Sequence, residues 1–215
     1  MEKNPENPVA AQYDKIYSER EAAFNSGKVS PLILEVGKFI PEGGKVIEFG
    51  AGQGRNSLVL AEQGFSVTAI ELSEVGVNSM NRIAKERSLQ NFEARIGDAR
   101  ENLEGEYDSV VSILMLHHLT RVEAEEFILK IKEHTKEGGV NAIETFTSEG
   151  DFSKLPDAKG RFYPELGEMR ELYSDWEIIS FVENKSMATA TRSDGSPMFN
   201  IKTGILARKP FREVL

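Results

Sequence analysis

The stretch Lys45-Val-Ile-Glu-Phe-Gly-Ala-Gly-Gln-Gly-Arg-Asn56, with Ser66-Val-Thr-Ala-Ile-Glu71 behind it, decides the fold. It reads as an apolar strand, a turn with glycines at 50, 52 and 54, a helix, and a second strand closed by a carboxylate. Glycines let the backbone turn sharply and approach a ligand closely, and the helix behind them opens with free N–H donors. Glu71, 21 residues after Gly50, stands where an acid can accept hydrogen bonds from ribose hydroxyls. This is the first half of a nucleotide-binding βαβ unit.

The third small residue separates the cofactor classes. A dinucleotide fingerprint, G-x-G-x-x-G/A, ends on a small residue that lets the helix pack closely on the strand. Counted from Gly50, that position is Arg55, bulky and charged, so an NAD-linked oxidoreductase is disfavoured. The pattern is instead G-x-G-x-G with Glu48 two residues upstream, and no Gly-Lys-Ser/Thr follows to make a P-loop.

Outward from this unit, strands and helices alternate. Upstream, Tyr13, Ile16, Tyr17 and Phe24 suggest helical turns after a loose polar arm of ten residues, and Ser30-Pro31 opens a helix to about Ile40. Downstream, Ser73 caps a helix whose Val77, Met80, Ile83 and Ala84 face the sheet. Strands follow at 92–96 and 109–114, then an amphipathic helix with Ala124, Phe127, Ile128 and Ile131, then a strand at 140–146. Residues 147–164 read as a loop and 165–173 as a short helix. Strands at 176–183 and 199–207 come last, with a polar turn over 187–197 between them. The alternation predicts an α/β fold with a doubly wound parallel sheet, and the helix-free connection before the last strand makes that strand antiparallel.

Composition sets the bounds. The 215 residues and 24.0 kDa fit one domain, 1–215, with a sizeable core. A net charge of −9 argues against a nucleic acid partner, and no Lys/Arg cluster offsets it. Absence of cysteine removes disulfides, thiolate nucleophiles and thiolate metal sites. No apolar run suits a membrane span or a signal peptide, so the expected location is cytoplasmic with no membrane partner.

The ordered motifs resemble the class I S-adenosylmethionine (SAM) methyltransferases. They are Glu48-Phe-Gly-Ala-Gly-Gln-Gly54, the strand-end acid Glu71, Gly97-Asp98-Ala99, and the strand Tyr107-Asp-Ser-Val-Val-Ser-Ile-Leu-Met-Leu-His-His118. Within that group the chain is similar to the tellurite-resistance (TehB-like) methyltransferase family. The similarity is carried by Gly54-Arg-Asn-Ser-Leu58, Gly138-Gly-Val-Asn141, Gly167-Glu-Met-Arg-Glu-Leu-Tyr-Ser-Asp-Trp-Glu177, Arg192-Ser-Asp-Gly195 and Leu206-Ala-Arg-Lys209. The chain departs from the family pattern at Ala51, where Cys is frequent, at Glu71, where Asp is usual, and at Thr191, where a His can precede the Arg.

The resemblance implies a Rossmann-like seven-stranded sheet with a reversed last strand, a SAM-binding core over 45–146, and an N-terminal arm or lid over 1–28. It implies SAM as cofactor and a small-molecule acceptor, either a tellurite- or selenite-type oxyanion or an organic thiol, amine or hydroxyl. A non-catalytic SAM-binding sensor is the alternative from another class. Gly50, Ala51, Gly52 and Gly54 would wall the cofactor, Glu71 with Leu72 would meet the ribose, Asp98 with Ala99 the adenine edge, and the Leu114 backbone the methionine amino group.

Other residues have two readings each. Glu48 either faces the cofactor's positive charge or pairs with donors at the turn. Arg55 either faces the cofactor or begins a helix that Asn56 could cap. Arg192, with Arg161 second, suits an oxyanion because a guanidinium fork binds it bidentately, or is a solvated loop residue. His117 and His118 lie past the fourth strand, where an extended segment would turn only one into a pocket. His117 is the candidate catalytic imidazole. No third ligand with recognisable spacing joins them, so no metal is expected.

Overall fold

Lys45–Phe49 forms β1, with Lys45 exposed and the residues after it buried, as expected of a central strand covered on both faces. It pairs in parallel with β2 (Ser66–Glu71), and β2 pairs in parallel with β3 (Phe92–Ile96), so that Phe49 lies beside Ile70 and Glu71 beside Ile96. β4 (Tyr107–Ile113), β5 (Thr135–Phe146), β6 (Glu177–Thr191) and β7 (Pro197–Arg208) complete a sheet in the order β3-β2-β1-β4-β5-β7-β6. The order reverses at β1, beyond whose carboxyl end the glycine turn begins, and β7 runs antiparallel to both β5 and β6. This computed structural model describes residues 7–20, 28–192 and 194–212, apart from the side chain of Thr189.

Two compact units divide the chain. The first holds the described residues up to Asn102 together with Tyr107–Val111. Its helices are α1 (Pro8–Glu19), α2 (Pro31–Val36), α3 (Ser57–Glu62) and α4 (Glu74–Glu86). Buried Gly76, Val77, Met80 and Ala84 give α4 one apolar stripe at helical spacing. Val77 and Met80 pack with Ala51, Ala69 and Ala94, so the glycine turn is built into a core cluster through Ala51. On β3, Glu93 and Arg95 expose charged side chains, which discourages pairing of a sheet edge with another chain.

The second unit holds Leu103–Glu106 and the described residues from Ser112 onward. Its helices are α5 (Arg121–Glu133) and α6 (Glu168–Leu172). A capping box between Thr120 and Glu123 starts α5, and Ala124, Phe127, Ile128 and Ile131 form its buried face. Lys209 Nζ donates to the carbonyls of Lys132, Glu133 and Thr135, satisfying acceptors left over where α5 ends.

Several boundaries differ from the sequence reading for local physical reasons. α1 begins inside the expected arm, because Asn7 accepts the Val9 N–H as an N-cap and Pro8 occupies the first helical position. Phe24 lies outside the described residues. β6 continues to Thr191, far past its expected end at 183, and β7 starts at Pro197 rather than 199, so the two pair as one long hairpin where a polar turn over 187–197 was expected. The segment 147–164 carries two short 3-10 turns, at Phe152–Lys154 and Pro156–Ala158.

Candidate functional site

After β1 the chain enters the left-handed region at Gly50 (φ 69°), Gly52 (φ 61°) and Gly54 (φ 82°). Space alone also demands glycine here. A Cβ at Gly52 would stand 2.8 Å from the Tyr17 hydroxyl oxygen, and one at Gly54 2.8 Å from Met80 Cγ. The Ile70 carbonyl accepts the N–H groups of Gly50 (2.9 Å) and Ala51 (3.1 Å). Glu71 ties the turn to the next helix: Oε2 accepts the Gly52 N–H at 2.8 Å, and Oε1 accepts the Ser73 N–H at 3.0 Å. Burial raises the Glu71 carboxyl above its ordinary value, against the pull of the Ser73 and Gly52 N–H groups. A carboxylate offers about four lone-pair directions, so these two bonds leave acceptor capacity on the same group.

α1 lies against this turn. Tyr17 is buried, its hydroxyl next to Gly52 and its ring next to Gly76, and the Tyr13 ring follows at 5.5 Å. Asp14 Oδ1 accepts the Ser73 hydroxyl at 2.5 Å and the Val75 N–H at 3.2 Å. Ser73 Oγ in turn accepts the Gly76 N–H at 3.0 Å, so two residues share the orphan donors at the start of α4. Burial, then the nearby Glu71 charge, pushes the Tyr17 phenol well above its usual value.

Behind the turn Glu48 is 1% exposed. It accepts the Asn56 side-chain N–H at 2.8 Å and the Ser57 hydroxyl at 2.5 Å, and Asn56 Oδ1 accepts the Ser30 N–H at 3.1 Å. Burial raises the Glu48 carboxyl while the Ser57 and Asn56 bonds pull it down. Asn56 holds the N-cap position of α3 but makes no side-chain cap bond, its amide being committed to Glu48 and Ser30. Arg55 donates to the Lys28 carbonyl at 2.7 Å. Past β3, Asp98 receives Arg100 through Oδ1 and Oδ2 at 2.9 and 2.5 Å, and Ala99 is buried. Leu72 is half-buried between Glu71 and Ser73.

In the second unit Leu114 sits at φ 59°, uncommon for a side-chain-bearing residue, and donates its N–H to the Glu144 carbonyl at 2.7 Å. The histidines do not follow an extended segment. Leu116–His118 is a 3-10 turn, and the two imidazoles lie on the same side with ring centroids 4.2 Å apart. His117 packs on Phe146 at 4.9 Å and Tyr163 at 6.1 Å, and its Nδ1 is buried with no hydrogen-bond partner among the described residues. Burial lowers both imidazoles, His117 well below the usual range and His118 to about 4, with the Arg161 cation adding to the effect. Arg161 Nη1 approaches His118 Nδ1 at 3.4 Å and donates through Nε to the Asp157 carbonyl. Arg192 is already occupied: Nη1 donates to Ser196 Oγ and the Pro197 carbonyl, Nη2 to Asp151 at 2.6 Å.

A family model for the tellurite resistance protein TehB matches residues 14–202. The chain belongs to the TehB family. It is 30% identical over 187 residues to the probable S-adenosyl-L-methionine-dependent methyltransferase TehB of Haemophilus influenzae, covering 86% of this chain and 64% of that protein. The crystal structure of TehB from Haemophilus influenzae aligns with a TM-score of 0.75 at 28% identity, over 92% of this chain and 67% of that one. The [4+2]-cyclase SpnF aligns with a TM-score of 0.70 at 15% identity, over 95% and 96% of the two chains, a likeness of fold alone. The chain thus spans about three fifths of the length of the curated TehB relatives it matches.

Within this TehB-family chain the glycine turn and Glu71 converge, and Leu72 and Ala51 border them. Glu48 and Asn56 are turned onto each other, and Arg55 onto Lys28. Sequence reasoning missed Asp14, whose carboxylate sits in an ordinary helical segment with no pattern to mark it. It also missed the Lys202–Glu144 ion pair at 2.8 Å, since nothing local to Glu144, the one charged residue of the strand expected at 140–146, names its partner. That lone acid was the available signal.

Proposed function

We propose that this chain is a SAM-dependent methyltransferase acting on a small molecule, a single domain over 1–215 with its cofactor core at 45–146. The observation that carries the reading is the Glu71 carboxylate, which holds the Gly52 and Ser73 N–H groups and keeps acceptor capacity beside them. A ribose diol needs such an acceptor on a rigid backbone, and the methyltransferase named among the relatives supports the same ligand. SAM supplies an electrophilic methyl group on a positively charged sulfur. Gly50, Ala51, Gly52 and Gly54 form the backbone wall, Glu71 and Leu72 hold the ribose, and Asp98 with Ala99 receives the adenine edge. Glu48 and Asn56 act as positioning residues that fix the start of α3. In-line methyl transfer asks the protein mainly to align the reactants and exclude water, and α1, with Tyr13 and Tyr17, serves as the covering segment within 1–28.

For the acceptor, the family description favours a tellurite- or selenite-type oxyanion, with Arg192 as the cationic clamp. A second reading has its own observation. Arg192 spends both terminal nitrogens on Asp151, Ser196 and Pro197, whereas His117 keeps a neutral imidazole with an unpartnered Nδ1. An unpartnered ring nitrogen can accept a hydrogen bond from an S–H, N–H or O–H group and so orient it, hence an organic thiol, amine or hydroxyl. The same reading keeps the protein in the cytoplasm, with no nucleic acid or membrane partner. Its net charge of −9 repels polyanions, and among the described residues no helix is long and apolar enough to cross a membrane.

Calorimetry with S-adenosylhomocysteine and NAD tests the cofactor. The thioether should bind, with Glu71→Ala weakening it at least tenfold, and NAD should not. Binding of NAD alone would overturn the reading. A panel of tellurite, selenite, small thiols and amines then tests the acceptor by loss of SAM. Tight cofactor binding with turnover of none would make the chain a sensor.

A further inference from the structure

In the second unit, aromatic side chains gather where β4 and β5 end. His117 and His118 lie on the turn after β4, and Phe146 is the last residue of β5. The Phe162 N–H, bonded to the Leu119 carbonyl at 2.8 Å, holds Arg161 and Tyr163 beside that turn. The rings follow one another: His117 lies 4.2 Å from His118, 4.9 Å from Phe146 and 6.1 Å from Tyr163, and Phe146 continues to Phe152 at 5.1 Å. Each of these rings is half-buried and so keeps part of its surface toward solvent. Aromatic pairs favour such spacings, and one more flat ring would extend the same pattern.

Arg161, also half-buried, supplies the charge. Its Nε donates to the Asp157 carbonyl at 2.7 Å, and its Nη1 approaches His118 Nδ1 at 3.4 Å. Both are neutral acceptors, because a guanidinium only donates and so faces the lone pair of an uncharged imidazole. Among the described residues no carboxylate stands within ion-pair distance of it, although the chain carries 35 acidic residues against 26 basic ones. The Asp157 carboxylate is near, yet at both His118 and Tyr163 the Arg161 charge acts more strongly, and it reaches His117 as well. The aromatic wall therefore carries a positive field on a chain whose net charge is −9.

We infer that this wall receives a small aromatic carboxylate as the methyl acceptor, its ring packed on Phe146, Tyr163 and His117 and its carboxylate paired with Arg161. One uncompensated cation balances one negative charge, which favours a carboxylate over a dianion. An ammonium would be drawn to the rings but repelled by Arg161. An aliphatic acid would answer the guanidinium alone and leave the rings in water. The inference rests on the second acceptor reading, an organic thiol, amine or hydroxyl at His117, and names the rest of that molecule.

Ligand-observed NMR titrations of the full chain with benzoate, benzamide and acetate separate ring from charge, with and without saturating S-adenosylhomocysteine. Benzoate should bind roughly tenfold tighter than either of the others. Arg161→Gln should bring benzoate down to the level of benzamide and leave benzamide unchanged. Tyr163→Ala should weaken benzoate and benzamide alike, by roughly threefold or more, and leave acetate unchanged. Benzoate no tighter than benzamide, indifference to Arg161→Gln, or no binding of any probe would each overturn the inference. So would benzoate affinity lost in Arg192→Ala but kept in Arg161→Gln, which moves the anion to the other clamp. The thioether's own affinity keeps the two readings apart. A chain that binds benzoate through Arg161 but no thioether has this site without the methyltransferase, and a bound thioether without benzoate preference removes only this inference.

Discussion

Gly52 meets three demands at once: a left-handed φ of 61°, an N–H given to Glu71, and a near face filled by the Tyr17 hydroxyl. Gly52→Ala should therefore cost roughly 1–2 kcal/mol from the left-handed backbone alone, seen in urea unfolding, with S-adenosylhomocysteine binding weakened at least tenfold. Unchanged binding would dissociate the turn from the cofactor. His118 gives a pH signature. The native chain refuses a proton until about 4, whereas an ordinary imidazole takes one near 6.5. Between those values the unfolded state binds more protons, so stability falls as pH drops through the window, by roughly 3 kcal/mol at most for this group. Glu48 and Glu71 oppose it: their raised carboxyls protonate first in the native state and add stability as pH falls. His118→Gln should thus flatten the acid loss of stability in urea titrations across that window, and an unaltered slope would sink the assignment. At this scale the glycines and Glu71 were legible because backbone sterics and strand-end position mark them. The direction of His117 and His118 was not, since a 3-10 turn and an extended strand end look alike in Leu-His-His.

Among the elements, α1 is held by one carboxylate. Asp14 bonds the Ser73 hydroxyl and the Val75 N–H, and Tyr17 fills the space under it. Asp14→Ala should lower overall stability by only about 1 kcal/mol. It should accelerate hydrogen exchange across Pro8–Glu19 while the amides of Lys45–Phe49 stay protected. Exchange unchanged in α1 would show that Tyr17 packing suffices without the carboxylate. Helices with a clear apolar stripe, α4 and α5, could be read from periodicity to within a few residues. The start of α1 could not, because Asn7 and Pro8 sit in a stretch whose Pro and Asn content reads as loop until the cap bond is seen. The length of the β6–β7 hairpin was hidden for a similar reason. Lys185, Ser186 and Thr191 are polar, and their ladder depends on the facing strand rather than on local preference.

For the whole molecule, cofactor binding should appear as stability. A ligand that binds only the native state at a hundredfold its Kd adds about 2.7 kcal/mol, which for a chain of this size is a shift of several degrees in thermal midpoint. S-adenosylhomocysteine should produce that shift and NAD should not; equal shifts from both would remove the distinction drawn from Arg55. The sheet order was legible as a whole because alternating strands and helices admit few right-handed arrangements, and the helix-free step before the last strand marks the reversal. What alternation could not convey is the pairing of side chains distant in sequence, Glu144 with Lys202 and Asp151 with Arg192.

The position of β7 has a consequence for how the protein is made. Synthesis delivers β5 first, then β6, and β7 after both, yet β7 lies between them and pairs with each. Until Pro197–Arg208 has emerged from the ribosome, two strand edges with unpaired backbone groups wait for the same late partner, and the end of α5 waits for Lys209. A nascent chain halted near residue 196 is therefore the species most exposed to edge-to-edge association, and the arrival of β7 closes the second unit.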